Sequence, residues 1–99
     1  MANYTITNKA VADLSEIWNY TVVTWSEKQA DNYFFMLIDA CQELADGTIA
    51  GKKYPEINPE ILGFRTGQHI VFYTKIREGE VEITRILHFQ MDLKNRMND

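Results

Sequence analysis

The sequence predicts an α+β fold, a helical hairpin packed on an antiparallel sheet in the order β-α-α-β-β-β. Three observations carry that expectation. Residues 62–92 (LGFRTGQHIVFYTKIREGEVEITRILHFQMD) form three runs rich in β-branched and aromatic residues, parted by Thr66-Gly67-Gln68-His69 and Arg77-Glu78-Gly79-Glu80. Two earlier stretches, Val11 to Trp25 and Ala30 to Leu44, repeat apolar residues at helical spacing. Between those stretches Ser26-Glu27-Lys28-Gln29 reads as a capping box, closing one helix and opening the next with almost no loop.

Taken in order, Asn3 to Thr7 is short, β-branched and alternating, and reads as an edge strand whose neighbour the sequence leaves open. Thr7 or Asn8 can cap the first helix. Its apolar stripe is Val11, Leu14, Ile17, Trp18, Val22 and Trp25, with Lys9, Asp13, Glu16 and Asn19 on the opposite, solvated side. Both tryptophans are expected in the core. The second helix carries Ala30, Tyr33, Phe34, Leu37, Ile38, Cys41 and Leu44, and ends at Asp46-Gly47 with Gly47 as a left-handed cap. Residues 47–61 read as an irregular linker, because Pro55 and Pro59 lack the N–H that a ladder needs. Lys52 and Lys53 within it read as solvated.

The two turns set a register if each is two residues long. Thr66 then faces His69, Phe64 faces Val71 and Leu62 faces Tyr73. In the second hairpin Ile76 faces Val81, Thr74 faces Ile83, Phe72 faces Arg85, Ile70 faces Leu87 and His69 faces His88. Alternation puts Leu62, Phe64, His69, Val71, Tyr73, Ile86 and His88 on one side of the sheet, and Arg65, Ile70, Phe72, Ile83, Arg85 and Leu87 on the other. Both sides are apolar at the middle, so the chain must supply two covers, or one cover and one partner. We expect the helices on the Leu62/Val71/Tyr73 side, and the Ile70/Phe72 side left for a partner. A bulge would reverse part of this assignment. After His88 the chain turns polar, and residues 93–99 are expected to fray.

Ninety-nine residues make one domain, 1–99, and 45% apolar residues support a packed core. A single cysteine, Cys41, cannot form an internal disulfide, which fits a reducing, cytoplasmic setting. The N-terminus MANYTITNK has no leader-like apolar run, and no stretch is apolar enough to span a membrane. The net charge of −4 is uneven: residues 1–46 hold seven acids and two bases, residues 47–99 seven acids and eight bases. Such a chain is a poor autonomous nucleic-acid binder, since phosphate needs a basic surface, and a better partner for something basic.

No phosphate loop, nucleophile elbow or Cys–His pair at a known spacing occurs, so no catalytic residue and no cofactor is expected. His69 and His88 lie opposite each other, but no third ligand or HxH spacing accompanies them, and no metal site is expected. Arg65 and Arg85 fall on one face among Ile70 and Phe72. A buried cation needs a partner, so acids pair with them, their stems snorkel at a solvated edge, or that face anchors carboxylates of another protein.

The pieces ADLSEIWNYT (12–21), Trp25, Gln29-Ala30 with Tyr33, YPEINPEILGF (54–64), GQHIVFY (67–73) and ITRILHFQMD (83–92) together resemble the RelE/ParE toxin superfamily, and its ParE branch most closely. The resemblance covers nearly the whole chain in family order. It implies a toxin of a type II toxin–antitoxin (plasmid stabilisation) module that inhibits DNA gyrase, is neutralised by a ParD-type antitoxin wrapping it, and is not an enzyme. On that basis Arg65, Ile70, Phe72, Arg85 and Leu87 are the candidate antitoxin contacts, and His88, Met91, Asp92, Lys94 and Arg96 the candidate gyrase contacts. The alternative is a ribosome-dependent mRNA interferase of the RelE/YoeB kind. Those toxins often read HRLVY in the strand where this chain has HIVFY (69–73), and RYHY where it ends HFQM (88–91). Ile70 cannot neutralise phosphate and Met91 cannot act as an acid, although Arg85, His88 and Lys52 leave a residual route. Many ParE proteins carry bases near positions 62–63 and 90, where this chain has Leu62, Gly63 and Gln90. A third reading follows, a weakened toxin that mainly binds its antitoxin.

Overall fold

Two hairpins and two helices lie where the sequence puts them. The computed structural model describes residues 2–97; Met1 and positions 98–99 lie outside the described residues. The elements are β1 (Asn3–Ile6), α1 (Asn8–Thr24), α2 (Glu27–Asp46), β2 (Lys52–Lys53), β3 (Leu62–Thr66), β4 (His69–Arg77), β5 (Glu80–His88) and α3 (Leu93–Met97). They build one five-stranded sheet ordered β1-β5-β4-β3-β2. The edge strand β1 runs parallel to β5, pairing Asn3 with Glu80 through Ile6 with Ile83. All other pairings are antiparallel.

Local chemistry fixes the ends of the helices. Thr7 caps α1, its hydroxyl oxygen accepting from Ala10 N at 3.2 Å while its proton goes to the Thr84 carbonyl at 2.8 Å. Ser26 caps α2 through Gln29 N at 3.0 Å. Gly47 closes α2 at φ 80°, and Thr48 N returns to Glu43 O at 3.1 Å, a Schellman ending. Gly67 at φ 58° and Gly79 at φ 78° supply the two tight turns.

The β3–β4 register is as expected, Leu62 opposite Tyr73 through Thr66 opposite His69. The β4–β5 register holds from His69–His88 to Phe72–Arg85 and then departs. Tyr73, not Thr74, faces Ile83, and Lys75, not Ile76, faces Val81. Thr84 is an extra residue on β5 and Ile76 an extra residue on β4, and the two irregularities cancel by Arg77–Glu80. The first of them moves Ile83 to the helix side, against the simple alternation. The Thr84 bulge is held by polar bonds: its carbonyl takes the Thr7 proton and its hydroxyl donates to Phe72 O at 3.1 Å.

Both sides of the sheet are covered by the chain itself. Under the helices lie Ala10, Leu14, Leu37, Cys41, Leu44, Val71, Tyr73, Val81, Ile83 and Ile86. The side expected to stay open for a partner buries Ile70, Phe72 and Leu87 with Ile61, beneath Tyr54, Ile57, Phe89, Leu93 and Met97. The cover comes from two segments that look polar in sequence. Residues 54–61 fold into short turns, with Ile57 N and Asn58 N both on Tyr54 O, and the Tyr54 ring meets Phe72 edge-on at 5.2 Å. The linker also gains a strand, since Lys52 and Lys53 pair with Gly63 and Leu62. The tail does not fray over 93–97: it forms α3, whose Leu93 and Met97 seal the second core.

The buried stripe of α1 is rotated from the expected one. Ala10, Asp13, Leu14 and Thr21 are buried, whereas Val11 is half exposed and Trp25 is 72% exposed. Trp25 is the residue that ends α1, so it leaves the helix face rather than extending it. Trp18 is partly covered and donates its ring N–H to Asp31 on α2 at 3.1 Å.

Candidate functional site: a groove beside the free edge of β5

β1 stops at Ile6, so among the described residues β5 has no strand neighbour on that side beyond Ile83. There α1 runs alongside, and a groove of about 690 Å³ opens between them. Its walls come from α1 (Asp13, Ile17, Tyr20, Thr21), the helix junction (Trp25, Gln29), Tyr33 of α2, the β3–β4 turn (Gln68, His69), β5 (Ile86, Leu87, His88) and the C-terminal segment (Gln90, Met91, Arg96). Tyr20, Trp25 and Met91 are exposed at its rim.

The bared β5 edge is closed by a charge pair. Asp13, on the face expected to be solvated, is 7% exposed, as is Arg85. Arg85 Nε donates to Asp13 Oδ2 at 2.8 Å and Nη2 to Oδ1 at 3.0 Å, a bidentate contact. The same carboxylate accepts Ile86 N at 3.0 Å, satisfying an edge amide that no strand reaches. The third nitrogen, Arg85 Nη1, donates to the Arg96 carbonyl in α3 at 2.6 Å. Of the open possibilities for Arg85, an acid within the chain pairs it.

Further along the groove Tyr33 and His69 meet. Tyr33 Oη lies 2.6 Å from His69 Nδ1 and accepts Gln68 N at 2.9 Å, so its proton points to the histidine. Burial, then the neighbouring His88, lower His69 to about 4 against a weaker upward pull from Asp13, so it is neutral at pH 7 with Nδ1 accepting. Burial likewise raises the Tyr33 phenol. The His69 and His88 rings meet edge-on at 5.4 Å, and His88 Nδ1 accepts Gln90 N at 3.1 Å. Both histidines thus have hydrogen-bonding partners. Among the described residues no group of three or more His, Cys, Asp or Glu is placed to hold a metal ion.

The candidate residues divide accordingly. Of the five assigned to an antitoxin, only Arg65 is exposed; it lies over the Phe89 ring at 3.8 Å and donates to Gly67 O at 3.3 Å. Ile70, Phe72 and Leu87 are core and Arg85 is spent on Asp13, so these five do not form one open surface. Of the five assigned to a target, His88, Met91 and Arg96 line the groove. Asp92, just before α3, and Lys94, within it, are exposed, and Asp92 accepts from Asn95 Nδ2 at 2.6 Å. Asp13, Tyr20, Tyr33 and Trp25 as groove residues escaped the sequence reading. All four stood in pieces that carry the family resemblance, and Trp25 also stands immediately before the cap at Ser26.

The chain matches the family model for the ParE toxin of the type II toxin–antitoxin system parDE over residues 4–93. It belongs to the ParE toxin family. Toxin ParE1 of Mycobacterium tuberculosis is 31% identical over 96 residues, covering 97% of this chain and 98% of the relative. Toxin ParE of Escherichia coli is 35% identical over 100 residues, covering 100% and 96%. A chain from a solved chromosomal ParDE system of P. aeruginosa superposes with a TM-score of 0.71 at 22% identity, covering 89% and 96%, which places both in one fold. The two histidines, the Asp13–Arg85 pair and every groove residue named except Arg96 lie within the matched span, whereas Lys94 and Arg96 lie just past it.

Proposed function

We propose that this ParE-family toxin acts in the cytoplasm by binding proteins, not by catalysis: it inhibits DNA gyrase and is neutralised by a ParD-type antitoxin. The observation that carries this reading is the groove rim, where Tyr20, Trp25 and Met91 are exposed beside His88 and the C-terminal turn. Exposed Trp and Tyr around a preformed cleft are the side chains that dominate protein–protein binding. The target contact is assigned to His88, Met91, Asp92, Lys94 and Arg96. For the antitoxin, Arg65 is the accessible member of its set; Ile70, Phe72, Arg85 and Leu87 become reachable only if the 54–61 turns or the C-terminal segment lift away.

Purified toxin incubated with gyrase and supercoiled plasmid tests the reading. Accumulation of cleaved DNA, abolished by prior addition of antitoxin, is the expected result; intact plasmid would overturn it. The mRNA interferase alternative draws on one observation, the Tyr33–His69 pair beside His88 in the groove. Against it, Ile70 lies in the second core, where even a basic residue would not face the groove, and Met91 cannot give up a proton. Ribosome-dependent cutting with gyrase untouched would favour that alternative. Inactivity in both assays with tight antitoxin binding would favour the weakened toxin.

A further inference from the structure

We infer that the Asp13–Arg85 couple is a clamp that sets the C-terminal segment, residues 89–97, on the rim of the groove, making Arg85 a positioning residue for target binding and not a contact. The inference rests on the proposed assignment of that segment to the target. The three nitrogens of one guanidinium are divided between two elements that flank β5. Nε and Nη2 hold Asp13 of α1, and Nη1 holds the Arg96 carbonyl of α3. That carbonyl belongs to the last turn of a five-residue helix. Other contacts tie the rest of the segment to the sheet and the second core, among them Arg65 lying over the Phe89 ring at 3.8 Å and Gln90 N on His88 Nδ1 at 3.1 Å. Phe89 N reaches Gln68 O at 3.0 Å, Met91 N reaches His88 O at 3.1 Å, and Leu93 and Met97 rest on the second core. A helix this short does not persist without tertiary support. Asp13 in turn is fixed at both oxygens, by Arg85 and by Ile86 N, so the clamp is referenced to α1 and to the sheet together. The exposed candidate contacts Met91, Asp92 and Lys94 all fall between the two tethered points, Phe89 and Arg96.

The test is amide hydrogen exchange on the full chain, read beside gyrase inhibition and antitoxin affinity, for wild type, Arg85→Lys, Asp13→Asn and Lys94→Ala. A lysine cannot hold the carboxylate in two places and the Arg96 carbonyl at once. Arg85→Lys should speed exchange at Arg96 N, which bonds Asp92 O, by about tenfold, the loss of one charge-assisted hydrogen bond. The far-ultraviolet circular dichroism spectrum should not change, which shows the fold intact. Gyrase inhibition should weaken by a similar factor; antitoxin affinity should be retained in Lys94→Ala, which lies outside the antitoxin set. Asp13→Asn, which keeps the side chain's size, should move the same readings less. Lys94→Ala should weaken inhibition with exchange unaltered, as a contact does and a clamp does not. Unchanged Arg96 exchange in Arg85→Lys overturns the clamp. Faster exchange with full inhibition overturns its positioning role. If wild type leaves gyrase untouched, the target reading falls, while the Arg96 exchange rate still decides whether the clamp exists.

Discussion

Replacing Asp13 by alanine is expected to remove a large part of this domain's stability. The variant leaves a guanidinium that is 7% exposed without its bidentate acceptor and strips the edge amide of Ile86 of its partner. Breaking a buried pair from one side costs roughly 3–5 kcal/mol, because the charge that remains loses its counter-ion's compensation. An orphaned buried amide adds about 1–3 kcal/mol. Water entering from the adjoining groove offsets some of this, so the expected loss is about 3–5 kcal/mol in a domain that holds roughly 5–15 kcal/mol in all. The midpoint of thermal unfolding should fall by on the order of 15–30 °C. Urea titration followed by circular dichroism gives the free energy directly. The double variant Asp13→Leu/Arg85→Met separates the pair from its parts, because it removes both charges together. It should be more stable than Asp13→Ala by about 2 kcal/mol or more, despite the bare Ile86 amide. A loss below about 1 kcal/mol in Asp13→Ala would refute the reasoning, because that is the range of a solvated surface pair.

Four further outcomes follow from the same geometry. His69 is lowered in the folded state, so its contribution is present in full above its ordinary value of 6.5 and is lost as pH falls toward about 4; its ring proton shifts in NMR should titrate near 4. Tyr33→Phe removes the donor that favours neutral His69, so the midpoint should rise, while burial and His88 keep it below 6.5; an unmoved midpoint would show the 2.6 Å contact to be unimportant. Gly63→Ala should cost about 1–3 kcal/mol in urea titration, since a Cβ there would sit 2.6 Å from Tyr54 Cε1 and 3.0 Å from Ile70 Cγ2, and Tyr54→Ala should relieve part of it. Cys41 is fully buried and its thiol is pushed up to about 12 by that burial, so iodoacetamide at pH 8 should label it in urea and leave the native protein unlabelled.

How much of this was legible in the sequence depends on how local the signal is. Turns and caps are set by one to four residues, and Gly67, Gly79, Thr7, Ser26 and Gly47 all behave as their types require. The β3–β4 register follows from one turn and survives intact. The β4–β5 register fails where Thr84 and Ile76 are inserted, because neither residue type differs from what a regular strand uses. Asp13 was assigned to water because hydropathy judges a residue alone, and its partner Arg85 is seventy-two positions away. The second face of the sheet could be covered by the chain or by a partner. The covering residues Tyr54, Ile57, Ile61, Phe89, Leu93 and Met97 are scattered through polar or proline-broken stretches with no period to reveal them. The candidate contacts suffered most, since Ile70, Phe72 and Leu87 look like an available apolar patch only until that cover is seen.

The twin insertions in the β4–β5 ribbon are independent of each other, because each bulged residue stands outside the pairing and can be removed without turning its neighbours over. Removing Thr84 alone would leave Ile83 opposite Tyr73 and Val81 opposite Lys75, still under the helices, and keep the strand that β1 docks on. Shortening both strands, at Thr84 and at Ile76, would keep every apolar side chain inward and produce a straighter ribbon. The Thr84 carbonyl that anchors the α1 cap would vanish with it, so the straightened protein should keep its sheet and lose the fixed angle at which the first helix departs.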